Sequence, residues 1–120
     1  MVKKKQRASN RSLFAPVQCR GKDTTMKIFI SQPMRGRSDK EIQSERAEMM
    51  AAVKRQYGDV EELDTFFDNH EWGPLMCLAK SIEALSDADA AVFAPGWKDA
   101  RGCRIEHQCC VDYDVPILTD

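Results

Sequence analysis

Residues 27–41 read KIFISQPMRGRSDKE, and this stretch decides the fold. Lys27-Ile28-Phe29-Ile30 is a short apolar run, the pattern of a buried strand. Ser31 to Arg37 follow as a loop punctuated by Pro33 and Gly36. Ser38-Asp39-Lys40-Glu41 then has the form of a capping box, in which Ser38 caps a helix and Glu41 reaches back to it. Ile42, Met49, Met50, Val53 and Tyr57 recur on one helical face, and Gly58 ends the helix. The unit is therefore strand, loop, helix.

The rest of the chain repeats that unit. Residues 60–63 predict a second strand. Pro74 suits a first helical turn, and Leu75, Leu78, Ala79, Ile82 and Leu85 continue with helical spacing. Residues 90–94 (AAVFA) predict a buried strand, residues 103–113 a helix and residues 115–118 a last strand. Such alternation predicts an α/β domain with a small parallel sheet of about four strands and right-handed crossovers. Helices on both faces make it a three-layer α/β/α arrangement of Rossmann/flavodoxin-like type. Sheets of this kind bind ligands beyond the carboxyl ends of their strands. The loops 31–37, 64–73 and 95–102 are thus expected to converge on one crevice. The middle one is long for a compact domain and carries Phe66, Phe67 and Trp72.

The charge is unevenly spread. The whole chain has a net charge of −1. Residues 1–25 hold seven Lys/Arg against Asp23 alone, net +6, and residues 26–120 hold 11 basic and 18 acidic side chains, net −7. Residues 1–25 show no hydrophobic period and read as a disordered basic tail. Met26 directly precedes the first strand, so the tail is either an upstream extension or an arm for an acidic surface such as nucleic acid. Residues 26–120 form the folded domain. No apolar run suits a signal peptide or a membrane span. Five cysteines, an odd number, with no secretory signal, predict a reduced, cytoplasmic protein.

Several residues invite chemistry. On the helix 103–113, Ile105, Cys109, Tyr113, Glu106 and Cys110 share one arc, which puts a carboxylate among the residues to be buried. Glu106 is either an anion at a pocket floor, helped by the helix amino terminus, or the partner of Arg101 or Arg104 in an anchoring pair. Arg35, Gly36, Arg37 and Ser38 lie between a strand end and a helix start. They form an anion cradle or a solvated basic turn. Cys103, His107 and Cys110 have i, i+4, i+7 spacing, but one helix rarely supplies three metal ligands, and buried cysteines are commonly small hydrophobes. No metal site is expected. A reactive thiol at Cys103 is a further option. Phe66, Phe67 and Trp72 either stack on a base or close the core over the loop.

Taken together, the stretches IFISQPMRGRSDKEI, LAKSIEALSDADAAVFAPGW and ARGCRIEHQC resemble the nucleoside 2-deoxyribosyltransferase-like superfamily. The likeness spans residues 26–118. It is closest to a branch of short, functionally unassigned bacterial and phage proteins; to the characterised enzymes it rests on strand order and the Glu at the helix start. The resemblance implies that Glu106 attacks the anomeric carbon of a deoxynucleoside, forming a covalent deoxyribosyl-enzyme while the base leaves. Asp99, His70 and Asp64 are the candidate proton donors to the departing base, Asp99 foremost. Relatives that cleave the N-glycosidic bond of nucleoside 5′-monophosphates imply that Ser31, Arg35, Gly36, Arg37 and Arg104 hold a 5′-phosphate. Phe66 and Trp72 would contact base or sugar. Two departures stand out: Gly102-Cys103-Arg104 replaces a short Gly-containing approach to the Glu, and Ser81 stands where the transferases carry an Asp.

The expectation is a nucleoside or nucleotide N-glycosidic-bond hydrolase or deoxyribosyltransferase that needs no cofactor. Its partner would be a small nucleoside or nucleotide, and the superfamily implies a homo-oligomer, dimer or larger. The alternatives are a nucleotide-binding or sensor module without catalysis, and an interaction protein that works through its basic tail.

Overall fold

β1, Met26–Ser31, is the central strand in a computed structural model that describes residues 25–67 and 71–118. The basic segment before Thr25 and the candidate His70 lie outside the described residues. α1 spans Asp39–Tyr57, β2 Val60–Glu62, α2 Pro74–Leu85, β3 Ala90–Phe93 and α3 Arg101–Asp112, with a 3-10 turn at Trp97–Asp99. The strands are parallel in the order β2-β1-β3. Ile28, Phe29 and Ile30 are fully buried because β1 is covered on both faces. Each such side chain contributes roughly 1.5–3 kcal/mol by leaving water.

Alternation along the strands sorts the core into two layers. Ile28, Ile30, Ala90 and Val92 pack with Val53, Met49 and Met50 of α1. Phe29, Ala91 and Phe93 pack on the other face with Leu85 and Ile82 of α2 and Cys110 of α3. The three-layer α/β/α arrangement follows.

The sheet has three strands rather than about four. The segment expected as a last strand joins at one bridge, Ala91 to Ile117. The Ala91 N–H donates to the Pro116 carbonyl and the Leu118 N–H to the Ala91 carbonyl. Asp114, at φ 60°, turns the chain just before the segment, and Pro116 has no N–H to offer a ladder. The segment therefore touches the sheet edge without becoming a strand.

The capping box at α1 forms as its sequence predicts: the Glu41 N–H donates to Ser38 Oγ at 3.1 Å, and the Ser38 N–H donates to Glu41 Oε1 at 2.9 Å. Gly58 closes the helix at φ 86°, a conformation that costs a residue with a Cβ. Ser38→Ala should lower stability by about 1 kcal/mol. Urea denaturation checks this as a lower midpoint with an unchanged slope; an unmoved midpoint would show that the cap contributes nothing.

α2 begins at Pro74 as expected but is thinly covered. Leu85 is its one buried residue, while Leu75 is 78% exposed and Met76 is exposed beside it. No helix among the described residues is long and apolar enough to cross a membrane.

Candidate functional site

The loops after β1 and β3 leave toward opposite faces of the sheet, the first into α1 and the other into α3. A crevice at the carboxyl ends of two adjacent strands is the expected ligand position in such a sheet. The two loops meet there: a Cβ built on Gly96 would lie 3.9 Å from Pro33 Cγ. Ser31, the last residue of β1, pairs in register with Phe93, and the Ala94 N–H donates to the Ser31 carbonyl.

Glu106 reaches this point from α3. It is 7% exposed, and the Ser31 hydroxyl donates to Glu106 Oε1 at 2.6 Å. Burial pushes the carboxyl above the ordinary glutamate range, while hydrogen bonds from Ser31 and Ser81 pull it back down. β1, α2 and α3 thus converge on one carboxyl group. No ion pair reaches it among the described residues, so neither Arg101 nor Arg104 neutralises it. Arg104 donates instead to the Lys98 carbonyl at 3.0 Å.

The helix face that carries Glu106 is rotated from the expected arc. Cys103, Glu106 and Cys110 are buried, at i, i+3 and i+7, while Ile105 is exposed. Tyr113 caps the helix end and is 79% exposed. The helix begins two residues earlier than expected, at Arg101. Burial raises the Cys103 thiol pKa above its ordinary value, and the charge of Glu106 adds to the effect. Such a thiol stays protonated and is a poor nucleophile. Cys110 is pushed up to about 12 by burial first and by the neighbouring charges of Cys109 and Glu106 next. Among the described residues no group of three or more His, Cys, Asp or Glu side chains is placed to hold a metal.

The remaining sequence-predicted residues fall in three places. Arg37 is committed: its Nη1 donates to the Pro33 carbonyl at 2.8 Å and pairs with Glu45 at 2.9 Å. Arg35 is exposed beside Gly36, which takes φ 76°, and among the described residues it has no ion pair. Asp99 is exposed on the 3-10 turn and Asp64 is exposed after β2; neither contributes to the hydrogen bonding of Glu106. Phe66 and Trp72 are half-buried, Trp72 meeting Phe67 edge-on at 5.6 Å with Lys80 Nζ over its ring. A groove of about 390 Å³ lies along α1, lined by Arg37, Lys40, Glu41, Ser44, Glu45 and Glu48. It lies on the opposite layer from Glu106 and carries no buried carboxylate.

Two features went unseen in the sequence. Trp97 stacks on His107 at 4.0 Å, and Phe93 meets His107 edge-on at 4.9 Å, so an aromatic stack braces the loop before α3. The other is Arg46, 2% exposed on the core face of α1. A signal existed for it: Arg46 stands four residues after Ile42 and seven before Val53, within the apolar stripe.

The sign of the Glu106 shift makes a stability prediction. The folded state binds this proton more tightly than the unfolded chain does. Its contribution is therefore fully present below the ordinary glutamate pKa and is lost as pH rises through the raised folded value. Glu106→Gln should remove that pH dependence. Denaturation across an acidic pH series should show the variant gaining on the native protein as pH rises; a constant difference would contradict the shift.

Comparisons of the chain with known protein families, curated proteins and solved structures find no match.

Proposed function

We propose that the protein cleaves or exchanges the N-glycosidic bond of a nucleoside or nucleotide, with Glu106 as nucleophile. The observation that supports it most is the placement of Glu106: a buried carboxylate, held by hydroxyls and, among the described residues, not paired with a cation, at the carboxyl ends of β1 and β3. A purely structural carboxylate is expected to be paired when buried. A nucleophile needs its charge available, and the hydroxyls of Ser31 and Ser81 orient it without cancelling it.

In the proposed step Glu106 bonds to the anomeric carbon as the bond from that carbon to the base nitrogen breaks. The bonding pair leaves with the base, which takes a proton. Water or a second base then attacks the same carbon, loses its proton and releases the carboxylate. This double displacement divides one difficult substitution in two, as in retaining glycosidases. Asp99 is the candidate donor to the base. The exposed Arg35 on the Gly36 turn is the candidate contact for a 5′-phosphate, with Arg37 holding the loop rather than the ligand. Phe66 and Trp72 are the candidate contacts for base or sugar. The setting is the cytoplasm, and the apolar residues exposed on α2 suit a homo-oligomer.

A second reading, a nucleotide-binding module without turnover, is favoured by one observation. The site has Ser81 where the resemblance implies an acid, and Asp99 stands off Glu106.

The test is incubation with a panel of deoxynucleosides and their 5′-monophosphates, with and without an added free base, and chromatography for released or exchanged base. Release from monophosphates alone supports the phosphate contact. Release from nucleosides alone keeps the chemistry and removes the phosphate. Ligand binding with no product in any arm selects the second reading.

A further inference from the structure

Behind the sheet, on the face opposite Glu106, a polar network surrounds the end of β1. Arg46 is its centre. Its Nε donates to Glu62 at 2.8 Å, its Nη1 to Gln32 Oε1 at 3.2 Å and its Nη2 to Thr65 Oγ1 at 2.9 Å. Gln32 Nε2 donates to the Ile42 carbonyl at 2.9 Å and to Glu45 at 2.8 Å. Arg46, Gln32 and Thr65 are all buried. A buried network of this kind fixes one arrangement only when its members are satisfied, and these are.

The network grips the backbone on either side of Ser31. β2 pairs with β1 as far as Ile28, where the Leu63 N–H donates to the Ile28 carbonyl. The next carbonyl on that edge, that of Ile30, lies past the end of β2. The Thr65 hydroxyl closes it at 3.3 Å, taking the place of a ladder N–H. Gln32, the next residue after Ser31, is held by its side chain, and the Pro33 carbonyl is held by Arg37. Residues 30, 32 and 33 are therefore tied on the α1 side, while Ser31 points the other way, to Glu106.

We infer that Arg46, Gln32 and Thr65 are positioning residues for the Ser31–Glu106 pair, holding the strand end so that the Ser31 hydroxyl meets the carboxylate. This concerns the site on which the proposed reaction rests, but it holds for a binding site as well, and its test needs no turnover.

The readout is the titration of the Glu106 side-chain carboxyl, followed by carbon NMR in the full chain. Among the described residues, the titratable groups that feel the charge of Glu106 are the thiols of Cys103, Cys109 and Cys110 on its own helix, all raised and neutral in the acid range. β1 and α2 face it with the hydroxyls of Ser31 and Ser81. Ser31→Ala sets the scale: loss of the donor moves the titration upward. Thr65→Val, which keeps the volume and removes the hydroxyl, should move it the same way by less, and Thr65→Ser should restore it. Gln32→Leu is the second variant, with the same upward shift expected, in case Thr65→Val does not fold. A folded Thr65→Val or Gln32→Leu whose Glu106 titrates as in the native protein, while Ser31→Ala shifts it, would overturn the inference. So would an unshifted Ser31→Ala. Base release is scored separately: an inactive native protein with the expected shifts sinks the reaction and leaves the positioning role standing.

Discussion

Glu106→Ala should abolish base release, with a loss on the order of 10⁴-fold or more, in a protein that still folds. The expected loss is large because, among the described residues, no second carboxyl takes part in the hydrogen bonding of Glu106. Asp99 and Asp64 are exposed and take no part in the hydrogen bonding around Glu106. Without a nucleophile the double displacement has no first step, and what remains is binding. Folding should survive for an equally plain reason. A buried carboxylate without a cation is a cost to the folded state, and alanine removes that cost. The space it opens is lined by the hydroxyls of Ser31 and Ser81, which can hold water. Glu106→Gln should be as inactive while keeping the packing. Kinetics on both variants, beside circular dichroism, check this. Native turnover in a folded Glu106→Ala would remove Glu106 from the chemistry.

Arg46→Ala should be the most damaging single change to the fold. The guanidinium bonds Glu62, Gln32, Thr65 and, more weakly, the Leu63 carbonyl at 3.4 Å. Removing it leaves buried acceptors on Gln32 and Thr65 without donors and opens a cavity among α1, β1 and β2. Breaking a buried ion pair from one side costs roughly 3–5 kcal/mol. Glu62 is 37% exposed and recovers water, so the low end applies, about 3 kcal/mol. For a domain of this size that corresponds to a fall of roughly 12–24 °C in Tm. Thermal unfolding followed by circular dichroism measures it. A fall of only a few degrees would mean that the network contributes little to stability.

The parts legible in the sequence were those set by local chemistry. Ser38, Glu41, Gly58 and Pro74 mark helix ends through their own backbone and capping preferences, and the structure places those ends accordingly. Strand and helix alternation carried the parallel topology, and with it the meeting of the loops after β1 and β3. Glu106 was legible as a carboxylate on a buried face. What escaped were features decided by distant residues. Residues 115–118 have strand composition, but Asp114 and Pro116 limit them to one bridge. Arg37 looked like an open cation and is paired with Glu45, in the second turn of the next helix. Arg46 drew no notice in the sequence because its partners, Gln32, Glu62 and Thr65, are brought to it only by the fold. The buried face of α3 is turned from the expected arc: Cys103, Glu106 and Cys110 are buried while Ile105 is exposed, a phase set by which side of the helix the sheet and α2 cover.

The most direct test of the central claim is mass spectrometry of the peptide carrying Glu106, acid-quenched during turnover of a base-releasing deoxynucleoside or monophosphate. A sugar adduct on Glu106 should appear within turnover, disappear when substrate is exhausted and be absent from Glu106→Gln. Base released at full rate while that peptide stays unmodified at every quench time would contradict it.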